Sequence, residues 1–263
     1  MGTNRYSRLI EAIFNQYYEN GKTEIQFKRT ELVIQAKALN IKLPKNLGDV
    51  LYSFRYRTQL PESITSKAPK GYEWIIRAAF SVQYRLSLVK KSRIIPSEIL
   101  AETKIPDATP GVITKYASND EQALLSKLRY NRLIDIFTRL TCYSLQNHYR
   151  TTVSGMGQVE IDEIYIGIDK RGAHYVLPVQ AKGKTDQIGI VQIEQDIAVC
   201  DEKFPNLISR SIAVQLMDDN LIALFELEKD EKDNIRVSSE KHYKLVHPDE
   251  LSFEELERYK IRA

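Results

Sequence analysis

The stretch Val159–Lys182, VEIDEIYIGIDKRGAHYVLPVQAK, decides the predicted fold of this chain. Apolar and polar residues alternate along its first half, a turn follows at Lys170–Gly172, and a second apolar run ends at Lys182. This pattern is typical of a β-hairpin. Residues two apart on a strand share a face, so Gln180 and Lys182 point the same way, and a suitable register would set Asp162 beside them.

Strand parity limits which acid can join this patch. Asp162 shares its parity with Glu160 and not with Glu163, so only Asp162 or Glu160 can lie on the face of Gln180 and Lys182. A carboxylate, an amide oxygen and an ammonium would then be able to hold a hard cation and polarise a phosphate. An ordinary solvated sheet edge is the alternative. The surrounding Val, Ile, Leu and Tyr residues favour a site near the core, where an unpaired charge is costly.

The hairpin resembles that of the PD-(D/E)xK nuclease superfamily, which has the restriction-endonuclease-like fold. In that family an Asp on one strand is followed on the next by Glu or Asp, any residue and Lys; here the matching residues are Asp162, Gln180 and Lys182. Gln180 departs from the usual acid, although its side-chain oxygen can still ligate a metal. The resemblance implies Mg²⁺ held by Asp162, Gln180 and the main-chain carbonyl of Ala181. It also implies that Lys182 orients or helps to deprotonate the attacking water, and that cleavage leaves 5′-phosphate ends.

Length and composition indicate a soluble globular chain. The 263 residues suffice for one large domain or two of ordinary size, with 43% hydrophobic and 28% charged residues. No apolar run is long enough to span a bilayer, and the N-terminal stretch lacks the apolar core of a signal peptide. Cys142 and Cys200 show neither metal-ligand spacing nor a disulfide framework, so we expect reduced thiols and a cytoplasmic protein.

The net charge of +3 is unevenly distributed along the chain. Residues 1–100 contain seventeen Lys or Arg and eight Asp or Glu, a net charge of +9, whereas residues 101–263 contain twenty-one and twenty-seven, a net charge of −6. A basic first part favours a polyanionic partner, which we expect to be double-stranded DNA. A basic solvated surface without a partner is the alternative.

Residues 1–92 are predicted to form a winged-helix DNA-binding domain. The periodicity predicts a helix, a short strand, two further helices and a two-stranded hairpin, the order of that module. Its third helix usually enters the major groove. Arg and Asn can pair with base edges and Lys mostly meets phosphate. On the third predicted helix, residues 45–59, the candidate DNA-contacting residues are Lys45, Asn46, Arg55 and Arg57.

The remainder is predicted to be a proline-containing linker, residues 93–116, and a nuclease domain, residues 117–263. Helices are expected before and after the hairpin, then two more strands at 212–217 and 221–228. This order predicts an α/β fold, a restriction-endonuclease-like mixed sheet flanked by helices, preceded by the small, mainly α winged-helix domain. The residues whose participation in the site is left open are Glu121, His148, Gln192 and Gln195.

These features predict a metal-dependent, site-specific double-stranded DNA endonuclease resembling a type II restriction enzyme. One alternative is a winged-helix transcription regulator with a non-catalytic C-terminal domain, and another is a structure-specific DNA repair nuclease. A companion DNA methyltransferase is expected functionally, though not as a bound subunit. A homodimer and successive nicking by a monomer are both open.

Overall fold

The structure is a computed structural model that describes residues 6–56, 58–79, 82–90, 94–117, 121–218, 220–231 and 233–261. The chain forms two compact units. The first contains Met1–Ser92, Thr151–Val159 and Gly189–Gln195, and the second contains Arg93–Arg150, Glu160–Ile188 and Asp196–Ala263. No helix among the described residues is long and apolar enough to cross a membrane.

The first unit combines helices with a small antiparallel sheet. Its elements are α1 (Ser7–Tyr17), β1 (Glu24–Lys28), α2 (Arg29–Ala38), α3 (Gly48–Tyr56), α4 (Glu62–Thr65), β2 (Tyr72–Ala78) and β3 (Gln83–Lys90). The strands lie in the order β1–β3–β2. Each predicted helix and strand of this region is present, and the one-turn α4 is an additional element. The third helix begins at Gly48, three residues later than predicted.

The core of the first unit follows from the helical spacing of its apolar residues. Leu9, Ile10, Ile13 and Phe14 of α1 are all buried on one face of the helix. Trp74 of β2 packs edge-on against Phe14, with ring centroids 5.1 Å apart. The helices therefore cover the small sheet through one continuous apolar cluster.

The second unit is built on an eight-stranded mixed sheet. Its strands are β4 (Glu102–Pro106), β5 (Thr141–Val153), β6 (Gly157–Ile168), β7 (His174–Lys182), β8 (Ile208–Ser209), β9 (Ser211–Asp218), β10 (Leu221–Lys229) and β11 (Ile235–Val246). Seven of them follow the order β4–β11–β10–β9–β7–β6–β5, and the short β8 pairs with β7. The β4–β11, β7–β8 and β7–β9 pairs are parallel.

Helices accompany this sheet and supply much of its core. They are α5 (Gly111–Tyr116), α6 (Glu121–Tyr130), α7 (Leu133–Thr138), α8 (Ile190–Lys203) and α9 (Phe253–Ile261), with a 3₁₀ turn at Pro248–Glu250. The part of α8 that belongs to the second unit begins at Asp196. Leu124, Leu125 and Leu128 of α6 belong to the same buried cluster as Leu177 and Val179 of β7. The coarse prediction of a mixed α/β fold with a mixed sheet and flanking helices is confirmed.

Two regions differ from the sequence prediction. Residues 93–116, predicted as a linker, contain β4, which pairs in parallel with β11 from Glu102 opposite His242 to Pro106 opposite Val246, and also α5. The twelve-residue β11 was not predicted at all. Both strands carry many polar residues and neither alternates cleanly, so their pairing depends on tertiary contacts that periodicity does not report.

Candidate active site

The paired part of the β6–β7 hairpin stops at the three residues of the predicted patch. Backbone pairing runs from Ile168 opposite His174 to Glu163 opposite Val179. One residue further along β6, the carboxylate of Asp162 replaces a backbone partner, because its Oδ2 accepts a hydrogen bond of 2.9 Å from the main-chain N–H of Ala181. The structure therefore brings Asp162 to the end of β7, the strand that carries both Gln180 and Lys182.

Lys182 is held between two carboxylates. Its Nζ lies 2.9 Å from Oε1 of Glu121 at the start of α6, and its side chain is only 12% exposed. Burial alone would lower the pKa of Lys182, but the charges of Asp162 and Glu121 outweigh it and hold the pKa above the ordinary lysine value. Lys182 is thus an ammonium at neutral pH. Glu121, whose role the sequence left open, lies at the site.

The contacts of Asp162 do not fully offset the cost of burying its negative charge. Burial raises the pKa of its carboxyl, and the opposing effects of Lys182 and of the Ala181 N–H do not cancel that rise. An added positive charge at this carboxylate would therefore be favourable, since it would stabilise the ionised form.

Gln180 has a fixed amide orientation. Its Nε2 donates to Oδ1 of Asp196 at 3.1 Å and to the main-chain oxygen of Glu160 at 3.4 Å. With both acceptors on the amino side, Oε1 points the other way. The residue is 1% exposed, and its Oε1 is buried with no hydrogen-bond partner among the described residues. A buried acceptor left unsatisfied costs about 1–3 kcal/mol, so a hydrogen-bond donor or a cation at this oxygen would be favourable.

Asp196 is the functional candidate that sequence reasoning missed. It lies on α8, is fully buried, and its Oδ2 also lacks a hydrogen-bond partner among the described residues. Burial raises the pKa of Asp196 well above the ordinary value, which favours the protonated form of the side chain. Helical spacing could have predicted its burial, because Asp196 shares a face of α8 with Ile193, Val199 and Cys200, which are all buried.

The glutamines proposed for this helix have other environments. Oε1 of Gln195 accepts a hydrogen bond of 2.8 Å from the hydroxyl of Tyr56, and both residues belong to the first unit. Gln192 is half-buried in the first turn of α8. The side chain of this helix that contacts Gln180 is Asp196, one position beyond Gln195.

The other acid of the correct parity, Glu160, is already neutralised. Its carboxylate lies 3.1 Å from Nε of Arg150 and 3.1 Å from Nδ1 of His148. Burial would raise the pKa of Glu160, but Arg150 and His148 outweigh it and hold the pKa below the ordinary value. Of the two candidates, Asp162 is therefore the one with capacity for a cation.

His148 has an unusual backbone for a strand residue. Its φ of 47° lies in the left-handed region inside β5, a conformation that costs free energy for any residue except glycine. The ring nitrogen Nε2 lies 2.8 Å from Nε2 of Gln122, and Nδ1 faces Glu160. This kink directs the imidazole toward the start of α6, where Glu121 contacts Lys182.

The oxygen donors at this site fit a single hard cation. The carboxylate of Asp162 and the unpartnered Oε1 of Gln180 are the oxygen types that Mg²⁺ prefers, and Mg²⁺ commonly keeps several waters instead of a complete protein shell. Within the described residues, no group of three or more His, Cys, Asp and Glu side chains is arranged to hold a metal ion. The protein would therefore supply few anionic ligands, as expected with Gln180 in place of an acid.

An open cleft of about 730 Å³ in the second unit is lined by Glu121, the partner of Lys182, and by Gly183, the residue after Lys182. A volume of this size is typical of ligand-binding clefts. Its walls come from α5, the start of α6, β5 and the segment after β7, and they include Thr114, Glu121, Gln122, His148, Lys184 and Thr185. Solvent and solutes can therefore reach Glu121, the partner of Lys182.

No family model, curated protein or solved structure matches this chain. The geometry and chemistry of the site are therefore the basis for its function.

The predicted DNA-contacting residues have different environments in the first unit. Lys45 and Asn46 are exposed and precede α3, so they do not form its first turn as predicted. Asn46 accepts from the N–H of Gly48 at 3.0 Å and donates to Asp49 at 2.8 Å, which occupies its amide in capping the helix. Arg55 is half-buried, with its guanidinium 4.8 Å from the ring centroid of Tyr56. Arg57 lies outside the described residues.

Proposed function

We propose that this chain is a Mg²⁺-dependent, site-specific DNA endonuclease of the PD-(D/E)xK type, similar to type II restriction enzymes. The observation that carries the proposal is the buried Oε1 of Gln180, which has no hydrogen-bond partner among the residues that the structure describes. Gln180 lies at one end of the hairpin on β7, next to Ala181, whose N–H donates to Asp162, and two residues before Lys182. An amide oxygen, a carboxylate and an ammonium together suit a cation and a phosphodiester. The resemblance of the motif supplies the reaction class.

Asp162, Oε1 of Gln180 and the carbonyl of Ala181 would hold the cation. When bound, Mg²⁺ polarises the phosphate and lowers the pKa of a coordinated water. The hydrogen bond from the Ala181 N–H keeps the Asp162 carboxylate in place for this task. Asp196 and the carbonyl of Glu160 keep the Gln180 amide turned with its oxygen toward the ligand.

Lys182 would act as a cation rather than as a base. Because its pKa lies above the ordinary value, it carries a proton that it can donate in a hydrogen bond to a non-bridging phosphate oxygen. Water adds to phosphorus, the bond from phosphorus to the 3′ oxygen breaks, and the 3′ oxygen takes up a proton. The phosphate remains on the 5′ end of the other fragment. Glu121 keeps the ammonium in position until the phosphate enters.

We further propose that the first unit is a winged-helix DNA-binding domain. Supporting features are the order of α1, β1, α2, α3, β2 and β3, the β1–β3–β2 sheet, and the net positive charge of residues 1–100. Lys45, exposed just before α3, is suited to a phosphate contact. A DNA-reading unit would give the cleavage site its sequence specificity.

A structure-specific repair nuclease is a second candidate. The open cleft beside Glu121, about 730 Å³ in volume, has room for a nucleotide that has left the duplex. That feature favours a substrate with unpaired strands, such as a fork.

The test is a cleavage assay with three substrates: supercoiled plasmid, duplex oligonucleotides and forked DNA, each with Mg²⁺ or with EDTA. Discrete plasmid fragments that require Mg²⁺ support the site-specific endonuclease. Cuts confined to forks support the repair nuclease. DNA that is bound but stays intact with Mg²⁺ would contradict both and support the transcription regulator.

A further inference from the structure

His148 is a polar residue near the candidate site to which the proposed function gives no task. It lies on β5 and lines the open cleft together with Glu121. In the sheet, β5 adjoins β6, the strand that carries Glu160 and Asp162. Whether His148 belongs to the site therefore depends on the face of β5 on which its imidazole lies.

Regular strand alternation would place this imidazole on the face opposite Asp162. Ser144 lies four residues earlier on β5, so an unbroken strand would set the side chains of Ser144 and His148 on one face. Oγ of Ser144 donates to the carboxylate of Glu163, which lies on the face opposite Asp162. The imidazole of His148 instead lies 3.1 Å from Oε1 of Glu160, which shares the parity of Asp162. The alternation is therefore reversed between Ser144 and His148.

The backbone of His148 accounts for this reversal. Its φ of 47° lies in the left-handed region, which extended strands do not use. Irregular residues in strands re-aim side chains and are frequent next to active sites, where the conformational cost is part of the mechanism. The result of the cost at His148 is an imidazole that faces the acids of β6.

The hydrogen-bond partners of His148 assign its two ring nitrogens. Nδ1 faces the carboxylate of Glu160, which can only accept, so Nδ1 carries a hydrogen. Nε2 lies 2.8 Å from Nε2 of Gln122, an amide nitrogen that can only donate, so this ring nitrogen carries the lone pair. Arg150 contacts the other carboxylate oxygen of Glu160 at 3.1 Å and holds it in place. A proton acceptor whose second nitrogen is oriented by a carboxylate is the arrangement of a general base.

The site needs such an acceptor because Lys182 cannot serve as one. Its ammonium lies 2.9 Å from Glu121, and its pKa is above the ordinary lysine value, so it keeps its proton. The charges of Lys182, Glu121 and His148 all act on the carboxyl of Asp162 and thereby on its pKa. A phosphodiester brought to Asp162 would therefore have both the Lys182 ammonium and the His148 imidazole as neighbours.

We propose that His148 is the general base of the cleavage reaction and that Glu160 is its positioning residue, an assignment that rests on the proposed endonuclease function. Nε2 of His148 takes a proton from the attacking water as the bond from the water oxygen to phosphorus forms. The bond from phosphorus to the 3′ oxygen breaks, and the electron pair stays on that oxygen, which takes a proton from solvent. Glu160 stabilises the imidazolium, which then returns its proton to solvent. One water is consumed for each bond that is cut.

The first test is the cleavage rate of His148→Asn. Asparagine also adopts the left-handed backbone readily, so this variant removes the base and keeps the conformation. Plasmid cleavage with Mg²⁺ should fall at least about 100-fold, while DNA affinity in EDTA stays within about threefold of wild type. His247→Asn is the matched control and should cut at the wild-type rate, because His247 also contacts an acid, Asp249 at 3.3 Å, and is 70% exposed.

The outcomes separate this assignment from the proposed function. If wild type cuts DNA and His148→Asn cuts at the same rate, the assignment is overturned and the proposed function stands. If wild type cuts none of the plasmid, duplex and forked substrates, the proposed function fails and the base assignment fails with it.

Chemical rescue distinguishes a base from a structural residue. Glycine adopts the left-handed backbone at no steric cost, and His148→Gly removes the imidazole beside Glu160. Added imidazole should raise cleavage by His148→Gly in proportion to its concentration and leave Lys182→Ala unchanged, because only the first variant lacks a base. No response of His148→Gly would contradict the base. Glu160→Gln should slow the wild type but not His148→Asn, since a positioning residue acts through the group that it holds; an equal loss in both would exclude that role.

Discussion

Nε2 of Gln180 lies 3.1 Å from Oδ1 of Asp196, and both side chains are almost fully buried. For the proposed PD-(D/E)xK-type site, this contact is a physical reason for an amide at the position where the pattern usually has an acid. A carboxylate at 180 would have no N–H to donate to Asp196, and it would bury a further negative charge in a region where burial already raises the pKa values of Asp162 and Asp196. The amide instead donates to one acid and keeps its oxygen free for a ligand.

Asp196→Asn should stabilise the cation-free protein, by an amount that grows with pH. The unfolded chain ionises Asp196 near the ordinary value of about pH 4, whereas the raised pKa keeps the carboxyl protonated to higher pH in the folded chain. Wild type therefore loses stability as pH rises from that value toward the folded pKa, by about 1.4 kcal/mol per pH unit, and asparagine does not. Urea unfolding in EDTA from pH 4 to pH 8 measures the difference. Asp201→Asn, at an exposed position of the same helix, is the control, and parallel curves for the two variants would refute the raised pKa of Asp196.

Gln180→Glu should weaken the cation-free fold and strengthen its response to Mg²⁺. The change removes the two hydrogen bonds donated by Nε2, at about 1–3 kcal/mol for buried groups, and adds an acid beside Asp196. The melting temperature in EDTA should fall by several degrees, and Mg²⁺ should raise it more than in wild type, because the new ligand is charged. Gln187→Glu, at an exposed position, is the control. An equal Mg²⁺ shift in the variant and wild type would count against position 180 as a ligand.

Lys45→Ala should weaken DNA binding to a similar degree for all sequences. Removal of one phosphate-binding ammonium reduces the slope of log affinity against log salt by about 1, because one fewer counterion is released from the DNA. The slope is measured by fluorescence anisotropy with two unrelated duplexes in EDTA. The salt concentration is varied from roughly 50 to 200 mM, where the effect on affinity is large. Lys260→Ala on α9, whose side chain is 75% exposed, serves for comparison. An unchanged slope for Lys45→Ala would argue against DNA binding just before α3.

Strand alternation was sufficient to predict the hairpin and the face of its acid. Glu163, which parity assigned to the face opposite Asp162, is fully buried and accepts a hydrogen bond from Ser144. The meeting of Asp162, Gln180 and Lys182 at one end of the hairpin also follows from period-two geometry. These properties depend on residues that are close together in the chain, so they can be predicted from the sequence.

Contacts between distant segments were not predictable in the same way. Asp196 reads as a polar position of an amphipathic helix, and its burial depends on how α8 packs beside Gln180. Strand β11 carries exposed or half-buried residues from Arg236 to Lys241, so its sequence resembles a loop until β10 and β4 pair with it. The partner of Lys182, Glu121, lies sixty-one positions away, and only the fold brings the two together.

The most direct test of the proposed function is the cleavage rate of Lys182→Ala on plasmid DNA with Mg²⁺, beside wild type and Lys184→Ala. Lys184 is 42% exposed and paired with Asp218, so its removal should change the rate little. Removal of the buried Lys182 ammonium should lower the rate at least about 100-fold, equivalent to about 2.7 kcal/mol of transition-state stabilisation, while DNA affinity in EDTA stays within about threefold. Mg²⁺-dependent cleavage by Lys182→Ala at the wild-type rate would contradict the account.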